Sequence, residues 1–390
     1  MTRTLACALL TCATLAAAAC GGDMPDTTTR MYEADDVNIQ YTGRIDFTNP
    51  KQPKFALAAT YMTVRFKGVG VSVLLKDEHR YGKWRNYYDA IVDGMVVKKI
   101  RPEDDATLVK YEVATGLTYG EHELVVVKRT EPNVGNGFFF GVEVAGELMP
   151  PPARPARQLL FFGDSITAGS GVEVPNGDPG CTADEWGQPV ENADRAYGPA
   201  AARQLDADYQ VLGVSGIGLV RNYSSNTAND LRPMPMVWNL LFPQITNSPV
   251  WPAANDNPDA IVVALGTNDF SPGDNPASSP RPKMDVATFV AAYIQLVDAL
   301  RVAYGTAPHI FAISSSMLAD GWPDATYRSL SDQKDALAMI EAHYVAAGDD
   351  KVHKLYVSKQ GGGCGTHPNV AGQAATAGEL ATYVKTVMMW

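Results

Sequence analysis

Positive charge is scarce in this sequence: 32 Lys and Arg stand against 43 Asp and Glu, a formal net charge of −11 over 390 residues. Such a balance offers no surplus for nucleic-acid phosphates, so that role is set aside. No internal repeat is visible at any period, which removes solenoids and propellers. The acidic cluster Asn255-Asp-Asn-Pro-Asp259 lacks the spacing and the glycine of a calcium loop, and neither a metal nor another cofactor is expected. Disorder is excluded in turn, because 46% of the residues are hydrophobic and 9% aromatic. What remains is a globular chain long enough for about two or three domains.

Cysteine is also sparse, with five in all. Arg3 precedes an apolar stretch from Leu5 to Ala19 that is short for a bilayer and ends in small residues, so residues 1–19 read as a bacterial export signal. The run Leu15-Ala-Ala-Ala-Ala19-Cys20-Gly-Gly resembles a lipoprotein signal, in which Cys20 becomes the acylated N-terminus. It has Ala17 where such signals usually place Leu; ordinary cleavage after an Ala-x-Ala site is the alternative. Residues 20–31 would be a polar tether. The expected location is the cell envelope through this anchor, or otherwise the periplasm or the medium. Cys7 and Cys12 leave with the signal, so Cys181 and Cys364 remain as an even pair in an oxidising compartment. A disulfide between them is expected, with two separately buried thiols as the alternative.

Residues 32–149 read as β throughout. Tyr61 to Phe66 alternates, Val71 to Leu75 follows a Gly-Val-Gly turn, and Tyr87 to Val92 runs into the hairpin signal Asp93-Gly94. Further strands fit Leu108 to Val113, Glu123 to Val127 and Phe138 to Val144, predicting a two-sheet β-sandwich of jelly-roll type. A proline-rich linker at 150–157 follows. From 158 to 390 the rhythm changes to strand then helix. Apolar strands start near Leu159, Tyr209, Ala260, His309 and Val352, and helices fit Tyr197–Leu205, Val286–Ala303, Ser329–Ala347 and Ala371–Met389. Five such strands predict a flavodoxin-like three-layer α/β/α domain with a five-stranded parallel sheet, whose ligand site lies beyond the carboxyl ends of the strands.

Polar residues gather at those ends: Gly163-Asp164-Ser165-Ile166-Thr167, Ser215-Gly216-Ile217-Gly218, Gly266-Thr267-Asn268-Asp269, and Gly363-Cys364-Gly365-Thr366-His367-Pro368. Each alone reads as a cap, a turn or a surface histidine. Together, in this order and on one edge, they resemble the four blocks of the SGNH, or GDSL-type, hydrolases. They are not the G-x-S-x-G elbow, because position 167 is Thr. The sandwich in front, Glu191-Asn192 to Tyr197-Gly198, Ser215 to Asn222 and the Gly-Cys-x-x-His-Pro-Asn369 run are similar to carbohydrate esterase family 2. Over residues 40 to the C-terminus, that resemblance implies removal of acetyl groups from plant polysaccharides such as acetylated xylan and mannan.

Ester cleavage needs an activated hydroxyl, a base and donors for the developing oxyanion. The resemblance makes Ser165 the nucleophile and His367 the base, and makes the Ser165 and Gly216 N–H groups with the Asn268 side chain the oxyanion hole. Asp164, Arg221 and Trp322 are expected substrate contacts, and Trp186, Trp238 and Trp251 are either sugar platforms or buried anchors. Tyr81, Trp84, Tyr87 and Tyr88 are read as packing against the second domain, with a carbohydrate platform as the alternative. One departure stands out: superfamily members usually carry Asp three residues before the histidine, and many in the esterase family carry it two before, where this chain has Cys364 and Gly365. A Ser-His dyad with a backbone carbonyl on the second ring nitrogen is therefore expected, as in some members of that family. A disulfide at Cys364 would steady the same loop. The other five histidines are not placed for catalysis. The alternatives are an esterase for other short-chain or lipid esters, and a carbohydrate-binding protein whose centre has decayed.

Overall fold

The computed structural model describes residues 26–79, 84–103, 107–174, 189–224, 232–275 and 280–390. The export signal, Cys20, Tyr81, Cys181 and Trp186 lie outside these residues.

The first half is built from β1 (Thr29–Glu33), β2 (Ile39–Thr42), β3 (Ile45–Asp46), β4 (Lys54–Phe55), β5 (Tyr61–Asp77), β6 (Tyr88–Val92), β7 (Met95–Ile100), β8 (Val109–Ala114), β9 (Gly120–Lys128) and β10 (Gly137–Met149). All pair antiparallel, in the path β3-β4-β10-β5-β9-β6-β7, with β1 on β10 and β2 and β8 on β5. Alternate residues point inward, as the period of two requires, and Phe55, Phe66, Val73, Leu75, Tyr88, Phe139 and Val142 share one core. Asp93 and Gly94, at φ 51° and 78°, make the expected hairpin turn between β6 and β7.

One expectation is corrected. Gly68-Val69-Gly70 is no turn, because β5 runs unbroken through it and pairs first with β9 and then with β8, joining the two layers into one folded sheet. The glycines serve close approach: a Cβ on Gly68 would stand 2.2 Å from the Ala145 carbonyl oxygen, and one on Gly70 2.9 Å from that of Ala114.

The second half is a parallel sheet of β11 (Arg157–Gly163), β12 (Ala207–Gly213), β13 (Ala260–Ala264), β14 (His309–Ile313) and β15 (Val352–Leu355) in the order β12-β11-β13-β14-β15. Its helices are α1 (Ser165–Ala168), α2 (Tyr197–Gln204), α3 (Thr267–Phe270), α4 (Val286–Tyr304), α5 (Ser329–Ala346) and α6 (Val370–Met388). Alternation in β11 separates the two faces. Leu160 and Phe162 pack with α4 and α5 through Phe289, Leu296 and Leu337, and Leu159 and Phe161 pack with α2 and α6 through Tyr197, Ala201 and Leu380. The strand order reverses at β11, so the crevice at a doubly wound sheet's switch point opens where β11, β12 and β13 end.

The two halves share a buried polar seam. Arg129, just after β9 and fully buried, pairs with Asp89 at 3.1 Å and with Glu173, and donates to the Glu191 carbonyl. Lys128 is buried beside it, its ammonium held by the Thr130 carbonyl at 2.6 Å; burial lowers its pKa to about 8 despite the neighbouring Asp77, Glu191 and Glu131 charges. Arg154, in the proline-rich segment, donates to Thr42 and Asp208, one from each half.

Candidate active site

Ser165 opens α1, a single turn between an Asp164 N-cap and Gly169 at φ 73°. The Asp164 carboxylate accepts the Ile166 N–H at 2.9 Å, satisfying one of the amides that a helix start leaves unpaired. Two buried contacts brace the turn from behind: Thr167 Oγ1 lies 2.9 Å from the Tyr197 hydroxyl, and Gln373 of α6 donates to the Ile166 carbonyl at 2.9 Å. Ser165 retains 7% exposure at the bottom of the crevice.

His367 comes from the opposite side, from the loop that enters α6. Its Nε2 is 2.7 Å from Ser165 Oγ and its Nδ1 is 2.8 Å from the Cys364 carbonyl oxygen. A carbonyl can only accept, so Nδ1 carries the proton and Nε2 presents a lone pair to the serine hydroxyl. Gly365 and Thr366 sit in the left-handed region at φ 55° and 66°, folding the chain so that the Cys364 carbonyl comes under the ring. For a β-branched threonine that is a strained conformation, of the kind that concentrates at functional sites. Burial lowers the His367 pKa below the ordinary histidine value, against the raising effect of the Cys364 and Gly365 backbone. The ring is therefore neutral at pH 7.

Backbone bonds fasten this loop to the segment following α1. Cys364 N–H donates to the Gly171 carbonyl at 3.3 Å, and Val370 N–H to that of Val172 at 3.1 Å. Cys364 is also disulfide-bonded; Cys181, its expected partner, is outside the described residues.

The second and third blocks follow β12 and β13. Gly216, after β12, takes φ 77°, which a residue with a Cβ rarely adopts, and its carbonyl accepts the Tyr223 N–H at 2.8 Å. Asn268, on α3, is 6% exposed, and its Nδ2 donates one hydrogen to the Ile217 carbonyl at 2.6 Å, which fixes the amide plane and leaves the second hydrogen to be aimed elsewhere. Asp269 beside it accepts the N–H groups of Leu219, Val220 and Arg221 at 2.7 to 3.0 Å, so α3 shapes the loop that carries Gly216.

The expected substrate contacts divide. Asp164 is 1% exposed and occupied in capping α1, with burial pushing its carboxyl up to about 6, so the structure places it beneath the serine and not among sugar-facing groups. Arg221 spends its guanidinium on the Asp269 carbonyl at 2.8 Å and the Pro282 carbonyl at 2.6 Å and acts as a brace. Trp322 is 57% exposed, in the loop between β14 and α5. Trp238 packs on Phe162 and Tyr304, and Trp251 donates to Asp256, which makes both anchors. In the first half, Tyr88 is core and Tyr87 lies under Arg129.

Sequence reasoning passed over Arg281, whose guanidinium donates to the carbonyls of Asn268, Asn222 and Ser271. Burial, then the Arg221 charge, lowers its pKa to about 10. It also passed over Glu131, which accepts the Ser215 N–H. Nothing in the local pattern marks either residue.

Comparison with known proteins agrees in both halves. Residues 41–152 match the profile described as Carbohydrate esterase 2 N-terminal, and residues 161–375 match that of the GDSL-like Lipase/Acylhydrolase family. The chain is 30% identical over 364 residues to the cellulase/esterase CelE of Acetivibrio thermocellus, covering 92% of this chain but 40% of that protein. It thus spans less than half the length of that relative. It is 26% identical to an acetylxylan esterase / glucomannan deacetylase of Cellvibrio japonicus, with 93% of each covered. A family two carbohydrate esterase from Clostridium thermocellum, solved in complex with cellohexaose, superposes with a TM-score of 0.78 at 28% identity, covering 90% of this chain and 99% of that one.

Proposed function

The chain belongs to the GDSL-like lipase/acylhydrolase family and to the family 2 carbohydrate esterases, and from that membership we propose that it is an exported serine O-acetylesterase of acetylated xylan, mannan or glucomannan, or their oligosaccharides. The observation that carries the reading is the single line from Ser165 Oγ through the His367 ring to the Cys364 carbonyl, with contacts of 2.7 and 2.8 Å.

In this reaction Ser165 Oγ attacks the acetyl carbonyl carbon as its proton passes to His367 Nε2. The carbonyl π electrons move to oxygen, where the Ser165 and Gly216 N–H groups and the second Asn268 Nδ2 hydrogen receive the negative charge. Collapse of the tetrahedral intermediate breaks the bond to the sugar oxygen, which leaves with the proton from Nε2 and frees the alcohol. Water then repeats the sequence on acetyl-Ser165, releasing acetate and restoring the hydroxyl. The imidazolium of each step has the neutral Cys364 carbonyl on Nδ1, so orientation stands in for the charge that a carboxylate supplies in the usual triad.

The names and ligands of the relatives, an acetylxylan esterase / glucomannan deacetylase and a complex with cellohexaose, support a β-linked glycan as substrate. The exposed Trp322 ring is the proposed sugar platform. Export by residues 1–19, acylation of Cys20 and a Cys181–Cys364 bridge belong to the same proposal. The substrate test is a panel of acetylated xylan, acetylated glucomannan and aryl esters from acetyl to octanoyl. Acetate release from the glycans with a steep fall beyond acetyl is expected; preference for octanoyl would contradict the reading.

A further inference from the structure

The loop from Val214 to Tyr223 follows β12, and most of its backbone amides are pinned by an identifiable partner. Val214 N–H donates to the Gly163 carbonyl at 3.2 Å, the Gly216 carbonyl accepts from Tyr223, and the amides of 219 to 221 converge on Asp269. The Ser215 N–H, by contrast, donates across the seam to the carboxylate of Glu131, a residue of the first half. Ser215 Oγ meets Ser170 Oγ at 2.7 Å, and Ser170 N–H returns to the Ser165 carbonyl at 3.0 Å. The peptide between Ser215 and Gly216 is therefore oriented by bonds on either side of it, one from Glu131 and one from Tyr223.

We infer that Glu131 is a positioning residue for the oxyanion site, supplied by the sandwich half to the hydrolase half: by fixing the Ser215 N–H it sets the direction of the Gly216 N–H. The inference rests on the reading of Gly216 as an oxyanion donor.

Glu131 is itself built in. It is 7% exposed, its own N–H donates to the Glu191 carboxylate, and its carbonyl lies 3.3 Å from the Lys128 ammonium. Glu191 is fully buried, and burial together with the Glu131 charge pushes it well above the usual carboxylate range. Burial raises Glu131 too, but the Ser215 amide and Lys128 favour its ionised form. A carboxylate so enclosed has little freedom to swing, and rigidity of that kind is what a preorganised donor requires.

The test compares Glu131→Gln, Glu131→Asp and Glu131→Ala in the full chain, beside the parent and Ser165→Ala, with rates expressed per serine titrated by an organophosphonate. If the acceptor's place matters, Glu131→Gln keeps most of kcat because its amide oxygen reaches the same N–H. Glu131→Asp, which keeps the charge but is one methylene short, and Glu131→Ala lose about 10- to 100-fold in kcat, less than the roughly 10²- to 10³-fold of a donor removed outright, with KM unchanged. Phosphonylation of Ser165 slows in the same order. A purely structural or charge role predicts instead that kcat per titrated serine is constant, or that Glu131→Asp exceeds Glu131→Gln, and either result overturns the inference. Should Ser165→Ala, which cannot be titrated and is compared per mole of folded protein, retain the parent rate, the esterase reading itself fails and takes the inference with it. If Glu131→Ala does not fold, the order of the Gln and Asp variants still decides.

Discussion

His367 works, in this account, with a backbone carbonyl in the place of a carboxylate, and two predictions follow at the scale of single residues. Its pKa is lowered by burial from 6.5. The base must be neutral, so activity holds while the pH falls through the ordinary histidine range and is lost only below it. The acid limb of kcat/KM should have its midpoint below 6.5; a midpoint above that value would mean that a negative charge faces the ring. Asn268 presents the second expectation. Replacing it with Ala removes one oxyanion donor and also strands the Ile217 carbonyl, so kcat should fall by about 10²- to 10³-fold with KM nearly constant. A loss confined to KM would remove Asn268 from the reaction. Ser165, Gly216, Asn268 and His367 could be named from the sequence because their blocks follow apolar strands or precede an apolar helix in the order of the hydrolase family that they resemble. The partner of Nδ1 was not legible from the residues themselves, since a carbonyl belongs to every residue and leaves no side-chain signature.

Elements explain what the residues cannot. The strands of the parallel sheet and their four long helices follow from apolar runs and period, and their observed bounds differ from the expected ones by a few residues at most. Gly68-Val69-Gly70 misled because glycine reads as a turn, whereas here it lets neighbouring strands cross at a distance no Cβ would tolerate. The His367 loop is held by two backbone bonds to residues 171 and 172 and by the disulfide at Cys364. Reduction of that disulfide should lower kcat by about 3- to 10-fold, on the order of 1 kcal/mol, and should leave some activity because the backbone bonds remain. Full activity with the thiols shown to be reduced would contradict this. Arg221 was assigned to the crevice from its neighbourhood to Gly216, and the direction of its side chain, toward Asp269 and Pro282, emerges only from the loop's tertiary path.

On the scale of the whole molecule the two halves form one unit joined by buried charge. Arg129 has no exposed side-chain surface and serves Asp89 and Glu173 at once, one residue on each side of the seam. Truncation to Ala leaves Asp89 buried without its cation, while Glu173 keeps Lys99 and Arg195, which should cost about 3–5 kcal/mol. Unfolding in urea, followed by tryptophan fluorescence and by circular dichroism, should show one transition in the parent; two separated transitions would mean that the halves are independent. The seam was invisible in the sequence because its charged members, from Asp77 to Asp208, lie far apart in the chain, and each reads alone as a surface charge. Glu131 shows the consequence: it lies 84 residues before the amide it holds. The most direct test of the account is acetate release from acetylated glucomannan by the parent, Ser165→Ala and His367→Ala, compared at equal folded concentration. A dyad acting as one unit predicts that each variant loses about 10⁴-fold or more. Persistent activity in His367→Ala near the parent rate would show that another base serves Ser165 and would contradict the dyad.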